Sequence, residues 1–358
     1  MNRCGGDRQA PRRSRLVTVR RATALLLTLL MASAPGGGPA ARAGAANDPD
    51  PSVSEARAAG ASYLREEDYR LARVGYRIGT AASRYCSDRY PLTGMLLHHL
   101  ADYESGDHAA AIAEYGLDHG PSALAVVEES PAATAGLLAG DVLLSVNGAA
   151  FASPADIAEI QDEGQRRIAV EATEAQLEAQ LRRGPVDLRI LRDDRERTLR
   201  IVAHPGCPVR VRLARSDQLN AFANRGYAIV TTRLLEAIRS DDELAFALGH
   251  EIAHNVLGHM DRLAEMGVPG SGMLRGFGKN GARVRATEAE ADRLGLKLAW
   301  AAGYDPRAAI PYRRRMEEAH GGPALFSTHP SARARERLLR EVLAELGVPA
   351  SDASPQRP

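Results

Sequence analysis

The sequence has little net charge, few cysteines and no long apolar run beyond its first few dozen residues. Its 46 Lys and Arg stand against 45 Asp and Glu. No overall field therefore recruits nucleic acid or an acidic membrane surface, and partners must be selected by local sites. The apolar run from Ala22 to Ala34 is too short to span a bilayer comfortably, and no later stretch reaches spanning length, so no transmembrane segment is expected once a signal is removed. Cysteine occurs only at positions 4, 86 and 207. None directly follows the apolar run, which argues against a lipid anchor.

What is present begins with an address. Arg12, Arg13, Arg15, Arg20 and Arg21 precede the apolar run, and Ala41-Arg42-Ala43 offers the small residues of a cleavage site. Residues 1–43 are thus expected to be a signal peptide, with a mature start near Gly44. Ala34 is a competing site weakened by Pro35. Arg20-Arg21 leaves twin-arginine export open behind the general route. Export, to the periplasm or outside, leaves Cys86 and Cys207 in an oxidising compartment, where a disulfide is favoured over two separate buried thiols.

The length of 358 residues accommodates two or three domains, and the expected class is α+β. Residues 44–119 are read as a helical N-terminal segment: Leu64, Leu71, Val74 and Ile78 recur at helical spacing within a helix over 53–82. His98, His99, His108 and His119 are irregularly spaced and lack a carboxylate motif, so they are taken as structural or solvated. From Ser122 the pattern changes to short apolar runs with turn signals, including Asn147-Gly148 and Asp193-Asp194. With Ser130-Pro131-Ala132 and the run from Ala135-Gly136 to Gly148, residues 120–205 resemble a PDZ domain of the bacterial protease-associated type. Strand addition would pair a peptide with the strand carrying Leu124 and Val126 and lay it against a helix at Leu177 and Leu181. The alternative is a small domain that only packs on its neighbour. An extra stretch, Gln161 to Glu171, precedes the groove helix and departs from the pattern.

The chemistry is concentrated in His250-Glu251-Ile252-Ala253-His254, on a helix opened by Ser240 and Glu243 as a capping box. Residues four apart share a helix face, so His250 and His254 can address one Zn2+ ion per chain while Glu251, offset from both, acts as general base on water. A third ligand is needed. His259 lies five residues past His254 and rotates away from the ligand face of a continuous helix, so it is read as a helix-end residue. Glu288 and Asp292 share a helix face and suit a ligand and the acceptor for a ligating histidine's free N–H. Glu290 competes with Glu288.

The helix motif, Glu288-Ala289-Glu290-Ala291-Asp292 and Ser327-Thr328-His329-Pro330-Ser331 together resemble the gluzincin peptidases of the CAAX prenyl protease and HtpX, in particular their soluble periplasmic branch. The resemblance covers roughly Cys207 to Leu346. It implies Glu288 as third ligand, and it implies that His329 stabilises the tetrahedral intermediate or fills the open position in a latent state. It takes in Asn220-Ala221-Phe222 and a strand at Tyr227 to Thr232 able to hold substrate backbone. Residues 206–346 form the expected protease domain, 347–358 a disordered tail, and Gly267 to Gly281 either a lid or a plain loop. The expected function is an exported zinc metalloendopeptidase with protein or peptide substrates. A latent, chaperone-like peptide binder is the alternative, and an aminopeptidase is a third reading without an evident site for a free amino terminus.

Overall fold

A computed structural model describes residues 51–160, 162–224, 226–271, 273–319 and 331–349. The expected signal peptide, His329 with its Thr328 and Pro330 neighbours, and the tail from 350 lie outside the described residues. No described helix is long and apolar enough to cross a membrane.

The chain opens with α1 (Pro51–Ala81), then two short strands, β1 (Tyr90–Leu92) and β2 (Met95–His98), and α2 (His108–Tyr115). Next come β3 (Ser122–Val126), α3 (Pro131–Thr134), β4 (Val142–Val146), β5 (Ala149–Ala150), α4 (Pro154–Ala158), α5 (Glu163–Leu181), β6 (Val186–Arg192) and β7 (Arg195–Ile201). The order β2-β3-β4-β6-β7, antiparallel throughout, makes the larger sheet, with β5 paired to β4. Its tight turns are those the sequence announces: Asn147 and Gly148 both hold positive φ, as do Asp193 and Asp194. Leu177 and Leu181 of α5 close the core over Leu143, Val146, Leu188 and Ile190. The unexpected stretch 161–171 is mostly the first half of α5, so it lengthens the helix over the sheet rather than forming a separate loop.

The segment expected as one helical unit, 44–119, is divided between two cores. Leu71, Val74 and Ile78 of α1 are fully buried against Cys207, Val230, Phe246, Leu248 and Leu296, so α1 belongs to the C-terminal core. β2 instead extends the larger sheet by pairing with β3. The reason is physical. An amphipathic stripe states that a helix is half-buried but not which core receives it, and a four-residue strand is too short to display a period of two.

β8 (His204–Gly206) pairs with β1, and the bonded Cys86 and Cys207 lie beside this ribbon with Cα atoms 5.4 Å apart. The bond spans 121 residues and brackets the whole larger sheet, which is an insertion between α1 and the rest of its core. That rest comprises β9 (Arg210–Ala214), β10 (Ala221–Asn224) and β11 (Tyr227–Thr231) in the order β10-β11-β9, followed by helices. The helices are α6 (Thr232–Ala237), α7 (Asp241–Val256), α8 (His259–Glu265), α9 (Gly278–Ala301), α10 (Ala309–Ala319) and α11 (Ala332–Glu345).

Candidate metal centre

The site rests on the crossing of α7 and α9. α7 starts where the sequence says it should: the Ser240 side chain accepts from the Glu243 N–H at 3.3 Å, while the Glu243 carboxylate accepts from the Arg239 N–H at 2.9 Å. Asp241, Asp242 and Glu243 place negative charge at the positive end of the helix dipole. The helix is then buried from Glu243 to Ala253. A Cβ on Gly249 would stand 2.6 Å from the Gly295 carbonyl oxygen, and one on Gly295 would stand 2.6 Å from the His250 nitrogen. Glycine costs a helix interior roughly 1 kcal/mol relative to alanine. Here it allows two backbones to touch beside the first histidine.

That contact brings His250, His254 and Glu288 into one cluster. His250 Nε2 and His254 Nε2 are 3.2 Å apart, and the Glu288 carboxylate oxygens lie 3.5 and 3.6 Å from them. A tetrahedral zinc with ligands at about 2.0–2.2 Å has ligand-to-ligand edges of roughly 3.3–3.5 Å. The donor set fits that ion in element type, number and spacing. Glu290 does not join the set. It faces away from the cluster, accepting from Arg262 at 2.7 Å and lying 3.1 Å from His259 Nε2.

The surroundings fix the donors. Asp292 is completely buried, with Oδ1 2.9 Å from His250 Nδ1. Arg335 of α11 donates to both its oxygens, at 2.6 and 2.7 Å, and Arg313 of α10 donates at 3.1 Å. Burial alone would raise the Asp292 pKa, but these two guanidiniums hold it well below the usual carboxylate range. For His250, burial and Arg313 push the pKa down, and its hydrogen bonds to Asp292 and Glu288 outweigh them and raise it. Burial, reinforced by His250, pushes His254 down to about 3, so its imidazole is held in the neutral form a metal requires. Glu251 is buried next to His250 on the same helix.

Two supporting features escaped sequence reasoning although signals existed. Arg335 stands one, two and two turns before Leu339, Val342 and Leu343, a charge on the apolar stripe of α11. Gly249 and Gly295 sit in the interiors of otherwise regular helices, which marks close packing.

The peptide-binding expectation requires two corrections. Leu124 and Val126 lie on β3, which stands between β2 and β4 in the sheet, so the outer strand on the side of the groove helix is β2 rather than β3. Leu177 and Leu181 do line a cavity of about 110 Å³, but its other walls include β2 and residues of the C-terminal core, Val209, Arg210, Val211 and Tyr227. That face is tied to α5 by charge: Arg212 donates to Glu174 at 2.6 Å, Arg210 pairs with Glu178, and the Tyr227 hydroxyl donates to Glu174. Likewise the strand at Tyr227 to Thr232, β11, is central to its sheet. The outer position is held by β10, whose second edge carries no strand among the described residues.

Comparison with known proteins finds matches over the site. A model of peptidase family M48 matches residues 191–277 and 280–343, and a PDZ domain model matches 123–171. The chain carries a peptidase family M48 domain. The M48 match contains every member of the His250, His254 and Glu288 cluster, and the PDZ match covers β3 to β5 and the first half of α5 within the inserted region. Among relatives, the mitochondrial metalloendopeptidase OMA1 of Bos taurus is 35% identical over 166 residues, covering 36% of this chain and 32% of its own. The OMA1 of Schizosaccharomyces pombe is 36% identical over 151 residues, covering 36% and 45%. The β-barrel assembly-enhancing protease of Yersinia pestis is 28% identical over 155 residues, covering 34% and 32%. The chain thus spans between about a third and under half of the length of these relatives.

Proposed function

We propose that the protein is an exported zinc metalloendopeptidase that cleaves internal peptide bonds of misfolded or specific envelope proteins. The observation that carries the proposal is the meeting of His250, His254 and Glu288: the two Nε2 atoms are 3.2 Å apart, with Glu288 Oε2 3.5 Å from the first and Oε1 3.6 Å from the second. His250 Nε2, His254 Nε2 and a Glu288 oxygen would hold the ion. When bound, zinc lowers the pKa of water to about 7 and polarises a carbonyl oxygen.

The chain's own residues supply the remainder. Glu251 takes the proton from the attacking water as the new C–O bond forms, then delivers it to the leaving amine as the C–N bond breaks. Its place one residue after His250 offsets it by about 100° around the helix, off the ligand face but beside it. The free edge of β10 supports a reading in which substrate backbone docks as an added strand, a mode that accepts extended segments over free termini. His329 enters by family resemblance alone, as the group that stabilises the tetrahedral intermediate or blocks the site in a latent state. Export is supported by the Arg-rich, apolar N-terminal segment and by the bonded Cys86 and Cys207, since such bonds persist in oxidising compartments. The chaperone-like alternative would have to use β2 rather than β3, since β2 is the outer strand beside Leu177 and Leu181 among the described residues.

Degradation of unfolded casein by the purified chain, with Glu251→Gln alongside, tests the proposal. The parent is expected to cleave, and the variant to keep its zinc and lose at least 100-fold in rate. Equal cleavage by the two, or an inert parent that carries zinc, would count against the proposed activity.

A further inference from the structure

On a continuous helix His259 would face away from the centre, yet it touches it. α7 ends at Val256, and Gly258, at φ 60°, is left-handed and turns the chain into α8, whose first residue is His259. The ring is thereby folded back under His254 and only 1% exposed. His259 Nδ1 lies 2.9 Å from His254 Nδ1, and its Nε2 lies 3.1 Å from Glu290 Oε2. Arg262, one turn along α8, donates to both Glu290 oxygens, at 2.7 and 3.3 Å.

The proton positions in this chain follow from the chemistry of neutral imidazole, which has one donor and one acceptor nitrogen. His254 presents Nε2 to the donor cluster, so its proton is on Nδ1. His259 Nδ1 must then accept that proton's hydrogen bond, which leaves the His259 proton on Nε2, directed at the Glu290 carboxylate. Every link has one donor and one acceptor.

We infer that His259 and Glu290 are positioning residues for the metal ligand His254. They lock its tautomer and ring angle, on the side of the cluster opposite the approach of Asp292 to His250. The inference rests on the zinc reading of the site. The two supports differ in kind: His250 faces a fully buried carboxylate held by two arginines, while His254 is supported through an intervening imidazole by a carboxylate that is 42% exposed. The Glu290 end is therefore open to substitution without disturbing the core. Outer partners of this type are generally worth 10- to 100-fold in metal affinity.

The test is zinc affinity of the full chain by chelator competition, together with side-chain 15N NMR of the zinc-loaded protein. His259→Leu is expected to weaken zinc binding at least 10-fold. His259→Asn, whose side-chain oxygen can stand where Nδ1 stands, should restore most of the loss, and Glu290→Gln should lose a few-fold. The zinc-loaded parent should carry the His259 proton on Nε2. A well-folded His259→Leu that binds zinc within twofold of the parent would overturn the inference, as would a His259 proton on Nδ1. Should His259→Leu fail to fold, an unchanged affinity in Glu290→Gln together with a His259 proton on Nδ1 would overturn it. A parent that binds no zinc refutes the zinc reading and the inference with it, whereas the other contrary outcomes leave the zinc reading intact.

Discussion

The metal centre and the PDZ groove were both anticipated as sites, and they fared differently in the structure. The three candidate ligands converge to within 3.6 Å, while the strand expected to accept a peptide is not the outermost of its sheet, β2 lying outside it. The metal centre is carried by helices, where a spacing of four places two side chains on one face whatever the rest of the chain does. The groove depends on which strand is outermost. That is a non-local property, here decided by the four residues Met95–His98, placed some thirty residues before the recognisable part of the domain. The salt links from Glu174 and Glu178 to Arg212 and Arg210 then bind the groove helix to the peptidase core. Packing on a neighbour is the role this face visibly performs.

If the two regions are as separable as this contrast suggests, damage to one should spare the other. The largest effect is expected at the helix crossing. Gly295→Ala places a methyl group 2.6 Å from the His250 nitrogen and 2.8 Å from the Gly249 carbonyl carbon, both backbone, so the helices must part. We expect a loss of about 1–3 kcal/mol in stability and a clear weakening of zinc binding, measured by urea unfolding and chelator competition. Unchanged zinc affinity would mean that the donor spacing does not depend on this contact.

An effect on stability alone, with no accompanying loss of zinc, is expected from Cys86→Ser with Cys207→Ser. Removing a native disulfide typically costs about 2–5 kcal/mol, and both cysteines pack with the C-terminal core at the base of the inserted sheet. Stability should fall while zinc affinity stays within twofold, since neither cysteine approaches the ligands.

The smallest effect concerns Asp68 on α1, beside Arg212 and Arg215 near the junction. Burial raises its pKa to about 7, against the pull of those arginines. The folded protein then keeps a proton that the unfolded chain releases near pH 4, so this group's contribution to stability falls as pH rises from about 4 to about 7. Asp68→Asn should match the parent at pH 4 and exceed it at pH 8, by on the order of 1 kcal/mol, with zinc binding unaltered. A variant less stable than the parent at pH 8 would show that ionised Asp68 is a favourable partner of the arginines.

Legibility followed the same division. The start of α7, the hairpin turns at Asn147-Gly148 and Asp193-Asp194, and the pairing of Glu288 with Asp292 were readable because each is encoded within a few residues. α1 was readable as a helix, but its membership of the peptidase core was not, since an apolar stripe does not name its partner. His259 is a helix-end residue outside the ligand set, as read, but its contact with His254 was not legible because the helix wheel was carried through Gly258, whose left-handed backbone ends the helix. Arg335 was hidden among the neighbouring arginines of α11, and only its position on the apolar stripe distinguishes it.

The central claim is that His250, His254 and Glu288 form one zinc site and that Glu290 is outside it. Zinc content of the purified chain, after dialysis against a weak chelator, tests this directly when the parent is measured beside Glu288→Gln and Glu290→Gln. The account predicts one zinc per chain in the parent and in Glu290→Gln, and loss of zinc from Glu288→Gln. Zinc retained in Glu288→Gln but lost from Glu290→Gln would contradict it.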